Sequence, residues 1–396
     1  MNIEDRAAEL DKRRRKKMAW STHAYVRGST DSFYTWLESQ DRVHAPKGPP
    51  FWICGDCHLG NLGTLADADE EVAIQIRDLG QTVIGNPAHD LIRLGLSLAS
   101  AARSSNLPGV TTALIIEELA SGYAAAFRRI LADEPAVKAP KFIRKHSKRA
   151  VKRRWKHLAK DRFDGTKPTI PFGKRFWPLT DNETAEINAV LQTDKVRHRV
   201  CRLQGRDDDE IEFREAVYWV KGCSSLGRLR YAVLVVVDDE PCLLDLKEAA
   251  PPVAPRALKA LLPKNNAERI VTGARELSPN LGERMAAIRL GKRPVVMREL
   301  APKDLKLEFK RLKEREAIEI AAYLASVVGY AHAGQMDNRM RVRWLGDLEA
   351  EDRNKIDAPS WLWDSVVQLM EYHEGAYLKY CRRNILPNVR SADTIL

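Results

Sequence analysis

Several common ingredients are scarce in this 396-residue chain. It has six cysteines, and apart from Cys54 and Cys57 they stand singly at Cys201, Cys223, Cys242 and Cys381. That spacing builds no disulfide scaffold, and without a second C-x-x-C a structural zinc site lacks half its ligands. No apolar run reads as long enough to span a bilayer. The longest, IAAYLASVVGYAHAG from Ile320, is interrupted by Tyr, Ser, Gly and His and reads as a helix buried on most faces. The basic N-terminal stretch MNIEDRAAELDKRRRKKMAW is followed by no apolar signal segment, so a cytoplasmic protein with reduced thiols is expected. Internal repeats, low-complexity tracts, helix-turn-helix patterns and aromatic-interleaved RNA motifs are also missing.

What is present is a globular composition, 44% hydrophobic and 30% charged, in a chain too long for one ordinary core. The net charge of +11 is unevenly placed: Lys12 to Lys17 is a continuous basic run, and twelve Lys or Arg lie between Lys138 and Arg162 against the single acid Asp161. Such segments attract phosphates, so an acidic acceptor or partner is expected, with nucleic acid as the less favoured one. The plainer reading is a solvated helix face.

The stretch WICGDCHLGNLG, residues 52–63, admits three chemistries. Cys54-x-x-Cys57-His58 spells a haem attachment signature, the two thiols are half of a zinc site, and Gly55-Asp56-x-His58-x-x-Asn61 has the spacing of a phosphotransferase loop. Covalent haem belongs to exported proteins and zinc lacks its other ligands, which favours the third. The surrounding pattern agrees. PPFWICGD reads as a strand delivering residues 55–61 as a loop, and EVAIQIRDLG as a strand ending at Asp78, the two forming one hairpin. Helices are expected over residues 5–40, over NPAHDLIRLGLSLASAARSS and TTALIIEELASGYAAAFRRIL, near NAERIVTGARELS, and over Glu314–Gly334 and Trp361–Arg382. Between them, strands Arg214–Lys221, Leu229–Val237 and Cys242–Lys247 read as an antiparallel meander, followed by a strand RPVVMREL.

One mechanism uses all these parts. Phosphoryl transfer from a nucleotide needs a carboxylate facing the acceptor, metal ions on the phosphates, and cations and backbone N–H groups around the triphosphate. Two carboxylates about 4 Å from a triphosphate are each opposed by several kcal/mol at an effective dielectric near 20, so a hard cation, Mg²⁺ or Mn²⁺, must intervene. Asp56 is then the catalytic base, Asn61 and Asp78 are the metal ligands, and the hairpin Gly222-Cys223-Ser224-Ser225-Leu226-Gly227 covers the phosphates. Lys247 would reach them from its strand, held by Glu268 or alternatively Glu276. Backbone groups of Arg298, Glu299 and Leu300 would read the adenine edge of ATP. The order of these parts is that of a circularly permuted kinase, whose long helix ending near His332 should meet Phe51 in space.

The segments MAWSTHAYVRG, CGDCHLGNLG, IRDLGQTVIGNPAHDLIRL, LLDLKEA, RIVTGAR, VVMREL and GYAHA, in this order, resemble the bacterial domain of unknown function 2252 family. More distantly, residues 54–61 resemble the H-G-D-x-H-x-x-N loop of aminoglycoside phosphotransferases and choline kinases within the protein-kinase-like folds, with Cys54 in place of the histidine. That resemblance implies a metal aspartate at Asp78, a structural aspartate at Asp90, and a loop-stabilising His58. Arg27 and Gly28 recur in the first of the segments; a phosphate contact and a buried ion pair are equally open for Arg27. The expected architecture is α+β, a protein-kinase-like two-lobed fold with permuted motif order: residues 1–135 and 311–396 forming a mainly helical lobe, 136–180 a basic insertion, and 181–310 a small antiparallel-sheet nucleotide lobe. The expected function is ATP- and Mg²⁺-dependent phosphotransfer. Transfer of AMP on the same scaffold, an inactive nucleotide-binding regulator and a basic nucleic-acid-binding protein are the alternatives.

Overall fold

The computed structural model describes residues 3–39, 45–67, 69–154, 169–203, 210–223, 226–307, 313–349 and 358–386. The expected meander is there. Strands β6 (Ile211–Trp219), β7 (Arg230–Val237) and β8 (Glu240–Glu248) follow one another, and β5 (Phe176–Trp177), β9 (Met285–Leu290) and β10 (Arg293–Glu299) complete a six-stranded antiparallel sheet in the order β5-β6-β7-β8-β10-β9. After Arg230, the run YAVLVVV of β7 is apolar because both faces are covered. Val233, Val235 and Val237 pack with Ile187 of α7 (Asp181–Leu191) and Val200 of α8 (Asp194–Leu203), while Ala232 and Leu234 pack with Phe176 and Trp219 on the other face. Helix α1 (Ile3–Met18) joins this side of the molecule, with Leu10 in the sheet's core and Arg6 bonded to Glu183 at 2.7 Å. The N-terminal helix therefore belongs to the sheet, not to the helical core assigned to residues 1–135.

The second core is helical. Helices α4 (Ala88–Ser104), α5 (Gly109–Leu131), α11 (Glu314–Ala333) and α13 (Ser360–Asn384) share one apolar cluster, joined by α2 (Thr22–Gly28) and α3 (Thr30–Ser39). At the α5–α11 crossing a Cβ on Gly122 would lie 2.1 Å from the carbonyl oxygen of Ala322, so only glycine permits that approach. Helix α5 is long and apolar enough, by length and composition, to cross a membrane, which the sequence reading had denied to any run; half of its apolar window is buried against the rest of the protein. Helix α6 (Lys141–Val151) turns Ile143 and Ala150 inward and Lys141, Arg144, Lys145, Lys148 and Arg149 to solvent, a solvated face. Positions 155–162 of the basic segment lie outside the described residues.

Within this second core, which also takes in Ile53, Leu62, Leu65, Ile76 and Val83, strand pairing differs from the expected hairpin. β1 (Phe51–Ile53) pairs with β4 (Val83–Gly85), and β3 (Val72–Ile76) with β2 (Leu62–Ala66), so the two predicted strands lie in separate ribbons. Their partners β4 and β2 are three and five residues long, too short to give an alternating signal. Helix α9 (Asn266–Leu277) starts at Asn265, whose side chain accepts from the Ala267 N–H at 2.8 Å, and the one-turn α10 (Pro279–Gly282) follows. The end of α11 meets β1 as expected. The Phe51 and His332 ring centroids are 5.2 Å apart, and the Gln335 amide accepts from Trp52 N and donates to Trp52 O at 2.9 and 3.0 Å.

Candidate functional site

The loop after β1 is held from behind by one face of α4. Asp90 accepts from the N–H groups of Cys54 and Gly55 at 2.7 and 2.9 Å, Arg93 Nε donates to Asp56 Oδ1 at 3.0 Å, and Ser97 Oγ accepts from Leu59 N at 3.1 Å. These positions, three and four apart, are the polar stripe of an otherwise apolar helix, and all three are buried. Asp90 is itself held by His332, whose Nε2–H donates at 3.2 Å; the Tyr123 hydroxyl then donates to His332 Nδ1 and accepts from Trp344 Nε1, on α12 (Asn338–Glu349). Gly55 has φ +71°, and a Cβ there would meet the Gln81 carbonyl at 2.3 Å. The loop backbone at Cys54 and Gly55 is thus held by Asp90.

Asp56 is buried, and burial raises its pKa against the opposing pull of Arg93. Its Oδ2 lies 3.9 Å from His58 Nε2. His58 Nδ1 accepts from Gly60 N at 3.0 Å; burial, then Arg93 and Arg27, push the imidazole well below its usual pKa, so it stays neutral and braces the turn Leu59–Asn61. Asn61 Nδ2 donates to the Asp56 carbonyl at 3.0 Å, leaving its Oδ1 as the acceptor. Contact with Cys57 and then burial push the Cys54 thiol well up, and both cysteines are buried and free.

Across from this loop, Lys247 of β8 reaches Asp78. Its ammonium donates to both carboxylate oxygens at 2.9 Å. The enclosing walls withdraw water, which alone would raise the Asp78 pKa, but Lys247 and then Arg230 outweigh this and hold the carboxyl far below its ordinary value. The side chain remains 49% exposed toward the cleft. Arg230 is itself bidentate on Asp245, which it holds down to about 2 against burial. Gly222 and Cys223 of the hairpin line the same space, and the Gly222 carbonyl accepts from Lys17 at the end of α1 at 2.5 Å. Gly222 and Gly227 both have φ above +100°, as a glycine-bracketed turn requires; Ser224 and Ser225 lie outside the described residues.

Two expectations are corrected. Neither glutamate of α9 holds Lys247: Glu268 lines a separate groove with Lys195, Arg199 and Arg275, and Glu276 is exposed, because the buried face of α9 carries Arg269 instead. That guanidinium is bonded to the carbonyls of Gly80, Thr82 and Ala250, fixing the chain just after Asp78. In the segment Arg298–Leu300 the backbone donors of Glu299 and Leu300 are already used. Leu300 N donates to Leu243 O and Glu299 N to Arg284 O, while the Arg298 side chain is bonded to Arg77 O and Asp304. Arg93, Arg230, Arg269 and Lys17 were missed. Arg93 alone had a visible signal, its spacing from Asp90.

Loop and sheet enclose a cavity of about 330 Å³ that contains Asp56, His58, Asn61, Asp78, Gly222 and Lys247 in its lining, with nine Lys or Arg against three carboxylates overall. A cleft of that charge concentrates anions. The sequence of the chain matches, over residues 6–383, the family described as an uncharacterised protein conserved in bacteria, domain of unknown function 2252. The chain belongs to that family. No curated protein and no solved structure matches it. Within this family member, the oxygen donors lining the cleft include Asn61 and the Asp78 carboxylate, both of whose oxygens Lys247 holds. Among the described residues no group of three His, Cys, Asp or Glu is placed to hold a metal ion by itself. Two oxygen donors suit a hard cation that keeps waters and takes its other ligands from phosphates.

Proposed function

We propose that the chain is an ATP- and Mg²⁺-dependent phosphotransferase with a protein-kinase-like, two-lobed and circularly permuted fold. The observation that carries this reading is the contact at 2.9 Å between Lys247, from the sheet, and Asp78, from the loop side, across one cleft that also holds Asp56 and Asn61. The junction of α11 with β1 at Phe51 supports the permutation, since a helix running directly into such a loop would end there.

In this reading Lys247 and Asp78 neutralise each other until a nucleotide separates them, with Lys247 turning to the phosphates. Mg²⁺ or Mn²⁺ supplies neutralisation of the triphosphate charge, and Asp78 and Asn61 would hold it. Asp56 keeps Oδ1 on Arg93 and offers Oδ2 to the acceptor hydroxyl. The hydroxyl proton passes to Asp56, the acceptor oxygen bonds to the γ-phosphorus, and the bond to the departing ADP breaks. His58 and Arg93 are positioning residues.

The test compares ATP binding and turnover in wild type and Asp78→Asn. Metal-dependent binding should be lost in the variant, and Asp56→Asn should bind ATP yet turn over about 10²- to 10⁴-fold more slowly. Unchanged metal and nucleotide binding in Asp78→Asn removes the metal assignment. Mass spectrometry of products from labelled ATP separates γ-phosphoryl from AMP transfer.

A further inference from the structure

Four of the nine basic residues of the cleft fall into two groups. Lys247 and Arg230 act on Asp78. Arg27 and Lys306 instead belong to the other end of the loop, where both line the cleft and Arg27 lies against Gly60; both also lower the pKa values of His58 and His23. Arg27 comes from the last turn of α2, and Lys306 from a segment bridged to Gly63 just beyond Asn61. The two groups therefore approach the cleft from different elements.

Arg27 is the unusual member. Its guanidinium lies against Gly60, where a Cβ would sit 2.9 Å from its Cζ and Nε, so a glycine in the loop is what lets the side chain lie flat beside Asp56 and His58. It forms no ion pair among the described residues, and its Nε is buried without a hydrogen-bond partner. The adjacent carboxylate, Asp56, is already taken by Arg93. A desolvated guanidinium with no anion is costly, and its planar fork suits a phosphate or carboxylate. Gly28, next in the chain, packs on Cys223 and Met18, holding this end of α2 under the hairpin.

Resting on the phosphotransferase reading, we infer that Arg27, at an end of the cleft that Lys306 also lines, forms an anion site for the acceptor, which is a small hydroxylated molecule carrying its own phosphate group. The site is separate from the one that takes the nucleotide's phosphates. Binding of that group beside Gly60 would set a neighbouring hydroxyl at Asp56 Oδ2, the oxygen that Arg93 leaves free.

Inorganic phosphate, titrated calorimetrically into the full chain with and without saturating Mg²⁺ and a non-hydrolysable ATP analogue, tests this. Phosphate is expected to bind in both conditions. Arg27→Ala should weaken it at least about tenfold while changing analogue affinity less than about threefold, and Lys247→Ala should show the reverse pattern. Gly60→Ala keeps the charge but displaces the guanidinium, and should also weaken phosphate; it serves if Arg27→Ala melts below wild type in phosphate-free buffer. Equal loss of phosphate and analogue in Arg27→Ala assigns Arg27 to the nucleotide and overturns the inference, as does phosphate binding indifferent to both variants. Failure of wild type to bind the analogue, with Arg27-dependent phosphate binding intact, overturns the phosphotransferase reading and leaves the anion site standing. Glycerol 3-phosphate should compete with phosphate. Competition by a phosphoserine peptide alone overturns the small-molecule assignment.

Discussion

Arg93 shows how much of this site depends on single buried charges. Its guanidinium is almost fully enclosed, donating to Asp56 and to the carbonyl of Val26. Removing it strands a carboxylate that burial already disfavours, so Arg93→Ala is expected to lose about 3–5 kcal/mol in urea unfolding. The Arg230–Asp245 pair makes a second prediction. Arg230 depresses Asp245 to about 2 from the ordinary 3.8, so the charged form is favoured by folding. That contribution is fully present above about pH 4 and is lost as pH falls toward 2. The stability gap between wild type and Asp245→Asn should therefore narrow over that interval, and a gap constant from pH 5 to 2 would contradict the assignment. Arg93 could have been read from its position three residues after Asp90. Arg230 and Arg269 could not, because an arginine on a strand or helix declares nothing about which carbonyls or carboxylates the fold will bring to it.

Among the elements, α5 and α11 approach each other closely through glycine. A methyl group at Gly122 would overlap the Ala322 carbonyl, and at Gly329 it would approach the Tyr123 carbonyl at 2.8 Å. Gly122→Ala is expected to cost about 1–3 kcal/mol or more by forcing the helices apart, read as a lower melting temperature. Because Tyr123 and His332 sit on these same helices and lead to Asp90, the variant should also loosen the loop. Faster amide exchange at Cys54 and Gly55 than in a surface control variant would register this. Helices were legible where apolar spacing ran for several turns, as in α4, α5, α11 and α13. Strands β2, β4, β5 and β9 and helices α7, α8, α10 and α12 were not read, being short or stabilised by contacts with distant parts of the chain.

For the molecule as a whole, several imidazoles must stay neutral. His373 is fully enclosed between Tyr25 and Tyr372, and burial lowers it to about 3; His89 is lowered to about 4, and His58 lies well below its usual value. The unfolded chain takes up these protons first, so stability should fall as pH drops below about 6.5, by up to about 1.4 kcal/mol per pH unit per histidine. Urea midpoints at pH 7.5 and pH 5 check this, and His373→Phe should flatten part of the slope.

By itself the sequence determined the local pieces: which stretches turn apolar at helical or strand periods, and a loop whose Asp56, His58 and Asn61 are bound to one another by their spacing. Contacts within about six residues follow from chain geometry alone. Only the tertiary structure decided what faces that loop. Asp78 and Lys247 are 169 positions apart and meet because two separately packed cores close on one cleft. The same closure gave Lys247 an aspartate rather than a helix glutamate, turned Glu268 away, and left Arg27 without a carboxylate. Long-range partners are set by how buried surfaces fit together, a property of the whole chain that no local pattern carries.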